Sequence, residues 1–169
     1  KCEKEINSKT KAIIPVHYTG GVGNLNKLYS FASKHKLRVI EDAAHAFGSK
    51  YQNKLVGSIG DIVCFSFDGI KNITSGEGGC VVTNDSKVIE NIKNSRLLGV
   101  EKDSDKRYNN SRSWNFNVSK QGWRYHMSNI MAAIGIQQLK KFNKFAIRRK
   151  QIATAYDKLL SLNQNILFL

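Results

Sequence analysis

The stretch Ile62-Val-Cys-Phe-Ser-Phe-Asp-Gly-Ile-Lys71-Asn-Ile-Thr-Ser-Gly-Glu-Gly-Gly79 decides how this chain folds. Its apolar opening, Ile62 to Phe67, reads as a buried strand. The strand delivers one lysine, Lys71, into a loop rich in glycine and hydroxyl residues. Upstream, a second apolar run, Leu37-Arg-Val-Ile40, ends in Glu41-Asp42-Ala-Ala-His45. An amine becomes an imine-forming nucleophile when burial or cationic neighbours remove its charge. A carboxylate beside a pyridine nitrogen keeps that ring protonated and electron-withdrawing. Lys71 and Asp42 together therefore read as the attachment point and the ring-nitrogen partner of pyridoxal phosphate.

Working outward, Lys11 to Val16 reads as a strand leading to His17. Asn24 to His35 carries apolar residues at Leu25, Leu28, Tyr29, Phe31 and Ala32, a helical period with Asn24 as its cap. With the strand at Leu37–Ile40 this makes a strand–helix–strand unit, which favours a parallel sheet with a right-handed crossover. A short turn or helix at Ala43–Ala46 and a short hairpin from Gly48 to Val56 follow. Cys80 to Thr83 is another strand. Asn84 or Asp85 caps a helix over Lys87–Leu98, and Gly99 stops it. Residues 101–121 are polar and aperiodic, one long loop. Two further helices are expected, Ser128–Lys140 with Ser128 as cap, and Asn143–Leu160.

The 169 residues suffice for one domain with a real core. Hydrophobic residues at 41% and charged residues at 24% are ordinary for a soluble globular protein. No run approaches the ~20 apolar residues of a membrane helix, and no secretory pattern opens the chain. Cys2, Cys64 and Cys80 have no metal-ligand spacing, and free thiols suit a reducing cytoplasm. The net charge of +14 raises the possibility of nucleic-acid binding. The cations are spread along the chain, densest from Lys140 to Lys150, without an aromatic-interleaved stripe. A lysine-rich surface is the reading preferred, and no nucleic-acid or membrane partner is expected. Such a surface also steers anionic substrates.

Ser66 stands five residues before Lys71 at the strand end, where its hydroxyl could donate to a phosphate or bond backbone. Gly76-Glu-Gly-Gly79 is not a P-loop, because GxxxxGK[ST] is absent. It reads as a tight turn that needs positive φ, with Glu77 structural. Asn72 and Thr74 follow the lysine and could shape its loop. Asp42 read alone could merely cap the turn at Ala43, and His45 could merely pack.

The chain resembles the central part of sugar aminotransferases of the DegT/DnrJ/EryC1/StrS family. The resemblance rests on Ala12-Ile-Ile-Pro-Val-His-Tyr18, Val39-Ile-Glu-Asp-Ala-Ala-His45, Gly57-Ser-Ile-Gly-Asp61, the lysine segment, Gly79-Cys-Val-Val-Thr-Asn84, Gly122-Trp-Arg-Tyr-His-Met-Ser128 and Ala132-Ala-Ile-Gly135. It implies an α/β fold: the three-layer large domain of a type I pyridoxal-phosphate transferase, with a mainly parallel sheet, incomplete at both ends. Residues 1–142 would be part of that domain, and 143–169 would lead toward a missing small C-terminal domain. The start at Lys1 rather than Met fits an interior segment.

By the same resemblance Lys71 is the internal Schiff-base lysine and then the acid and base of the proton transfer. Asp42 pairs with the ring nitrogen, and His45 lies near the ring or its phenolic oxygen. The Gly122–His126 segment reaches a neighbouring subunit's cofactor phosphate, with Arg124 the natural donor and Tyr125 and His126 still open. Two departures stand out: Asp68 occupies a position where the family often has histidine, and Gly122-Trp-Arg-Tyr-His126 replaces the usual Gly-Tyr-Asn-Tyr-Arg. The implied activity is transfer of an amino group, from glutamate, to a nucleotide-linked ketosugar in a homodimer. Products of such enzymes feed polysaccharide, O-antigen or antibiotic sugars. A same-fold sugar dehydratase is the alternative, but those relatives replace the lysine with histidine. A non-catalytic basic binding module is the reading from another class.

Overall fold

The computed structural model describes residues 2–101, 117–118, 120–161 and 163. Its centre is a four-stranded sheet built from β1 (Ala12–Ile13), β2 (Arg38–Asp42), β5 (Ile62–Ser66) and β6 (Gly79–Thr83), in that spatial order. β1 runs parallel to β2 and β2 parallel to β5, while β6 returns antiparallel to β5. The sheet is thus mainly parallel, as expected. The expected hairpin is present as β3 (Lys50–Tyr51) and β4 (Lys54–Leu55).

The crossover helix α1 (Leu25–Lys34) starts where Asn24 accepts from the Lys27 amide, 3.0 Å. It satisfies one of the amides that a helix start leaves unpaired. α2 (Ser86–Ser95) is capped by Asp85, which accepts from the amides of Lys87 and Val88. It ends four residues before Gly99, whose own amide still reaches back to the Asn94 carbonyl.

Alternation sorts the two middle strands. Val39 and Glu41 of β2, and Val63 and Phe65 of β5, are buried, and the residues between them are not. Leu25 and Ala32 of α1 are buried too. Burying a residue such as Val39 or Phe65 contributes about 1.5–3 kcal/mol. Phe47 meets Phe65, Phe67 and Phe142 edge-on at 5.2–5.8 Å between ring centres, the arrangement that aromatic quadrupoles favour. At the amino end of the parallel strands Arg38 grips Asp61 with two bonds of 2.6 Å and reaches Asp85 at 3.1 Å. That guanidinium holds the Asp61 carboxyl below the usual carboxylate range.

One expectation is corrected. Asn129–Leu160 is a single helix of 32 residues, α3, with Ser128 accepting from the Met131 amide. The break anticipated between Lys140 and Asn143 is absent. Phe142 sits inside the helix with its ring against Phe47, so packing carries the helix across the polar run. Most of the anticipated loop at 101–121 lies outside the described residues. None of the described helices is long and apolar enough to cross a membrane.

Gly60 has φ +120, and a Cβ there would lie 2.6 Å from Glu41 Oε1 and 2.9 Å from the Tyr29 hydroxyl. Gly60→Ala is expected to lower unfolding free energy by about 2–3 kcal/mol, adding backbone strain to the steric clash. Urea unfolding measures it, and a midpoint equal to the parent's would show that Glu41 and Tyr29 yield freely.

Candidate active site

β2 and β5 point the same way, so their carboxyl ends share one sheet edge. Asp42 is the last residue of β2 and Ser66 the last of β5. Asp42 pairs in register with Cys64, which places Asp42, Cys64 and Ser66 on one face. Ser66 then lies two residues further out, roughly 6–7 Å along the strand. Open parallel sheets bind ligands at this edge.

Asp42 is fixed from three sides. Its amide donates to the Pro15 carbonyl and its carbonyl accepts from the His17 amide, both at 2.9 Å. Its Oδ1 accepts from the Ala44 amide at 3.1 Å, while Oδ2 takes no hydrogen bond from a described residue. The capping role and a free carboxylate oxygen thus coexist. The following segment is a turn rather than a helix. His45 is steered by β1's extension: the Thr19 amide approaches its Nδ1 at 3.4 Å, and Tyr18 lies against its ring at 5.6 Å.

Lys71 stands in a loop that is bonded to itself at nearly every turn. Asp68 accepts from the Ile70 amide through Oδ1 and from the Lys71 amide through its carbonyl, each at 3.1 Å. Ser66 Oγ accepts from the Asp68 amide at 3.3 Å, which leaves the hydroxyl proton available. Thr74 donates to the Phe67 carbonyl and accepts from the Gly76 amide. Ser75, wholly buried, donates to the Glu77 carbonyl. Gly76 and Gly78 carry the positive φ that the turn demands, +85 and +145. Lys71 is half-buried, and its Nζ makes no hydrogen bond or ion pair with a described residue. It does not pair with Asp42.

Sequence reading missed the network beneath Asp42. Glu41, fully buried, accepts from the Tyr29 hydroxyl at 2.6 Å and lies 2.7 Å from His17 Nε2, itself 2% exposed. The Tyr29 oxygen in turn accepts from the Asp61 amide at 2.9 Å. Burial, with the Glu41 carboxylate alongside, pushes the Tyr29 phenol well above its ordinary value. The only sequence signal was a glutamate at an alternate, core-facing position of an apolar strand. The network holds β1's extension, β2 and α1 together directly behind the Asp42 edge.

Arg124 is placed elsewhere. Its segment pairs with the end of α2: Trp123 donates to Ser95, Tyr125 donates to Arg96, and Leu98 donates to Trp123, at 2.7–3.0 Å. There Arg124 borders an open cleft of about 1250 Å³ between β6, α2 and the start of α3, whose lining includes neither Lys71, Asp42, His45 nor Ser66. Trp123 and Tyr125 stack at its rim, ring centres 6.2 Å apart. His126 Nδ1 is buried there without a hydrogen-bond partner among the described residues. The strand ends therefore place Asp42, Ser66 and the segments that carry His45 and Lys71 at one sheet edge, while Arg124 borders the separate cleft.

An unengaged amine, an open carboxylate oxygen and an available hydroxyl are the kinds of group that a pyridoxal phosphate site needs. A family model described as the DegT/DnrJ/EryC1/StrS aminotransferase family matches residues 1–168. The chain belongs to this family. It is 37% identical over 93% of its length to the spore coat polysaccharide biosynthesis protein SpsC of Bacillus subtilis. It superposes with a TM-score of 0.86 and 37% identity on Helicobacter pylori PseC, an aminotransferase of pseudoaminic acid biosynthesis, over 96% of this chain and 42% of that one. The sugar aminotransferase Spr1654 of Streptococcus pneumoniae, named as putative and solved in its PLP-form, matches at 0.82 and 29% identity, covering 95% of this chain and 44% of that one. The chain spans about 40% of the length of the curated relatives it matches. It is thus part of an aminotransferase-type domain.

Proposed function

We propose that this chain contributes the catalytic core of a pyridoxal-phosphate-dependent aminotransferase that converts a nucleotide-linked ketosugar to an aminosugar, with glutamate as amino donor. The observation that carries this reading is that Asp42 and the loop bearing Lys71 both lie at the carboxyl ends of the parallel strands β2 and β5, with neither Asp42 Oδ2 nor Lys71 Nζ engaged by a described residue. Membership of the family and the likeness to PseC and Spr1654 support it. The overall exchange balances without oxidant or water: the donor's amino group becomes a carbonyl and the sugar's carbonyl becomes an amine.

Pyridoxal phosphate, when bound, supplies an electron-poor ring that draws off the electron pair left at carbon when a proton departs. Lys71 Nζ would hold the group covalently and would move the proton at the carbon that bears nitrogen. Asp42 Oδ2 would hold the ring nitrogen in its protonated state. Ser66 Oγ would donate to the phosphate, and His45 would lie near the ring. Arg124, which lies outside this group, serves the partner subunit's phosphate in a homodimer. Residues 1–142 belong to the cofactor-binding domain, and 143–169 lead toward a small C-terminal domain.

Borohydride reduction of the full-length protein with its cofactor, followed by peptide mass mapping, tests the assignment. The pyridoxyl mass is expected on Lys71. A label on another lysine would remove Lys71 from the reaction and the proposal with it.

A further inference from the structure

A covalently held cofactor must span from the Lys71 amine to the Asp42 carboxylate, so the distance between their two segments has to be held. Between the segments a side-chain hydrogen bond makes a tie. Asn72, directly after Lys71, donates from Nδ2 to the Phe47 carbonyl at 2.6 Å. Phe47 closes the turn that begins at Asp42 and carries His45. Phe47 is itself held by edge-on contacts with Phe65, Phe67 and Phe142, so it is a firm anchor. The carbonyl of Asn72 accepts a second bond, 3.1 Å, from Arg149 Nη1 on α3. That guanidinium also lies over the Phe145 ring at 6.0 Å. Asn72 Oδ1 is buried without a partner among the described residues, a cost the chain tolerates while keeping the amide in place.

We propose that Asn72 is a positioning residue: it ties the lysine loop to the Asp42–Phe47 turn and so sets the aim of the Lys71 amine, with Arg149 securing it from α3. This rests on Lys71 being the cofactor lysine. The reaction it aids is condensation of the Lys71 amine with the cofactor aldehyde; a carbon–nitrogen double bond forms, one water leaves, and no oxidation state changes. A mis-aimed amine weakens that condensation alone. Pyridoxamine phosphate has no aldehyde, so its binding does not depend on where Lys71 points. Asn72→Ala should therefore separate the two ligands.

The experiment uses full-length protein, stripped of cofactor, and titrates pyridoxal phosphate and pyridoxamine phosphate separately, following absorbance. Asn72→Ala is expected to bind the aldehyde form about tenfold more weakly, the equivalent of one hydrogen bond of about 1.4 kcal/mol. Its affinity for the amine form should stay within about twofold of the parent's. Equal loss for both ligands would show general damage to the site and overturn the proposal, as would no loss for either. If Asn72→Ala does not fold, Arg149→Met takes its place. A selective loss of about threefold is then expected from the weaker, exposed bond, and an unselective loss or none again overturns it. Borohydride mapping of the parent protein runs alongside. A pyridoxyl mass away from Lys71 refutes the parent reading, whereas Lys71 labelling without ligand selectivity refutes only the role of Asn72.

Discussion

Lys71→Ala in the full-length protein is expected to lower amino transfer by about 10⁴-fold, the upper end of what a positioned acid–base group supplies. The loss should appear in kcat, because no other described amine stands free at the Asp42 edge. A small exogenous amine should restore part of the rate, since the alanine leaves room where the lysine stem was. The fold should survive, as Lys71 holds its loop through its backbone amide, not its side chain. Glutamate half-reaction kinetics give the answer. A variant that retains a tenth of the parent rate would end the assignment of Lys71 as base.

Asp42→Asn carries the next largest expected effect, about 10²–10³-fold in the same half-reaction, the scale of losing one preorganised electrostatic partner. The substitution is conservative in the turn: an asparagine oxygen can still accept from the Ala44 amide, as Asp42 Oδ1 does at 3.1 Å. In the role proposed for Asp42, what is lost is the negative charge that would face the ring nitrogen. Cofactor occupancy should therefore remain full while the proton transfer slows. Near-normal rates at full occupancy would take Asp42 out of its role.

Much of this architecture is legible in the amino-acid sequence. Strands β2 and β5 announce themselves by apolar runs, and α1 and α2 by periodicity and by Asn24 and Asp85 at their caps. The edge residues Asp42 and Ser66 follow once those strands are parallel, because strand ends fix which side chains face a ligand. The family resemblance then supplied roles that residue type alone leaves open. Three features escaped. The continuity of α3 depends on Phe142 finding Phe47 across ninety-five residues of chain, which outweighs a run of polar residues. The Glu41–His17–Tyr29 network needs the crossover and the register together, since Tyr29 and Glu41 are twelve residues apart and His17 is on another segment. Arg149 meets Asn72 over a separation of 77 residues, with no local pattern to announce it.

The single long helix has a consequence for local opening. At 1.5 Å per residue α3 is about 48 Å long. Met131 and Gly135 lie against the glycine turn and Ser75, and Phe142 lies against Phe47. From Ile147 to Leu159 every residue is exposed. A helical stretch of that length receives little from propensity alone in water. One helix therefore holds two grades of protection. In hydrogen–deuterium exchange of this chain the amides from Ala132 to Phe145 should open only with the sheet, whereas those beyond Lys150 should exchange by fraying, orders of magnitude sooner. The boundary should fall at the turn that holds Arg149, so the frayed segment begins one step from the loop that carries the lysine.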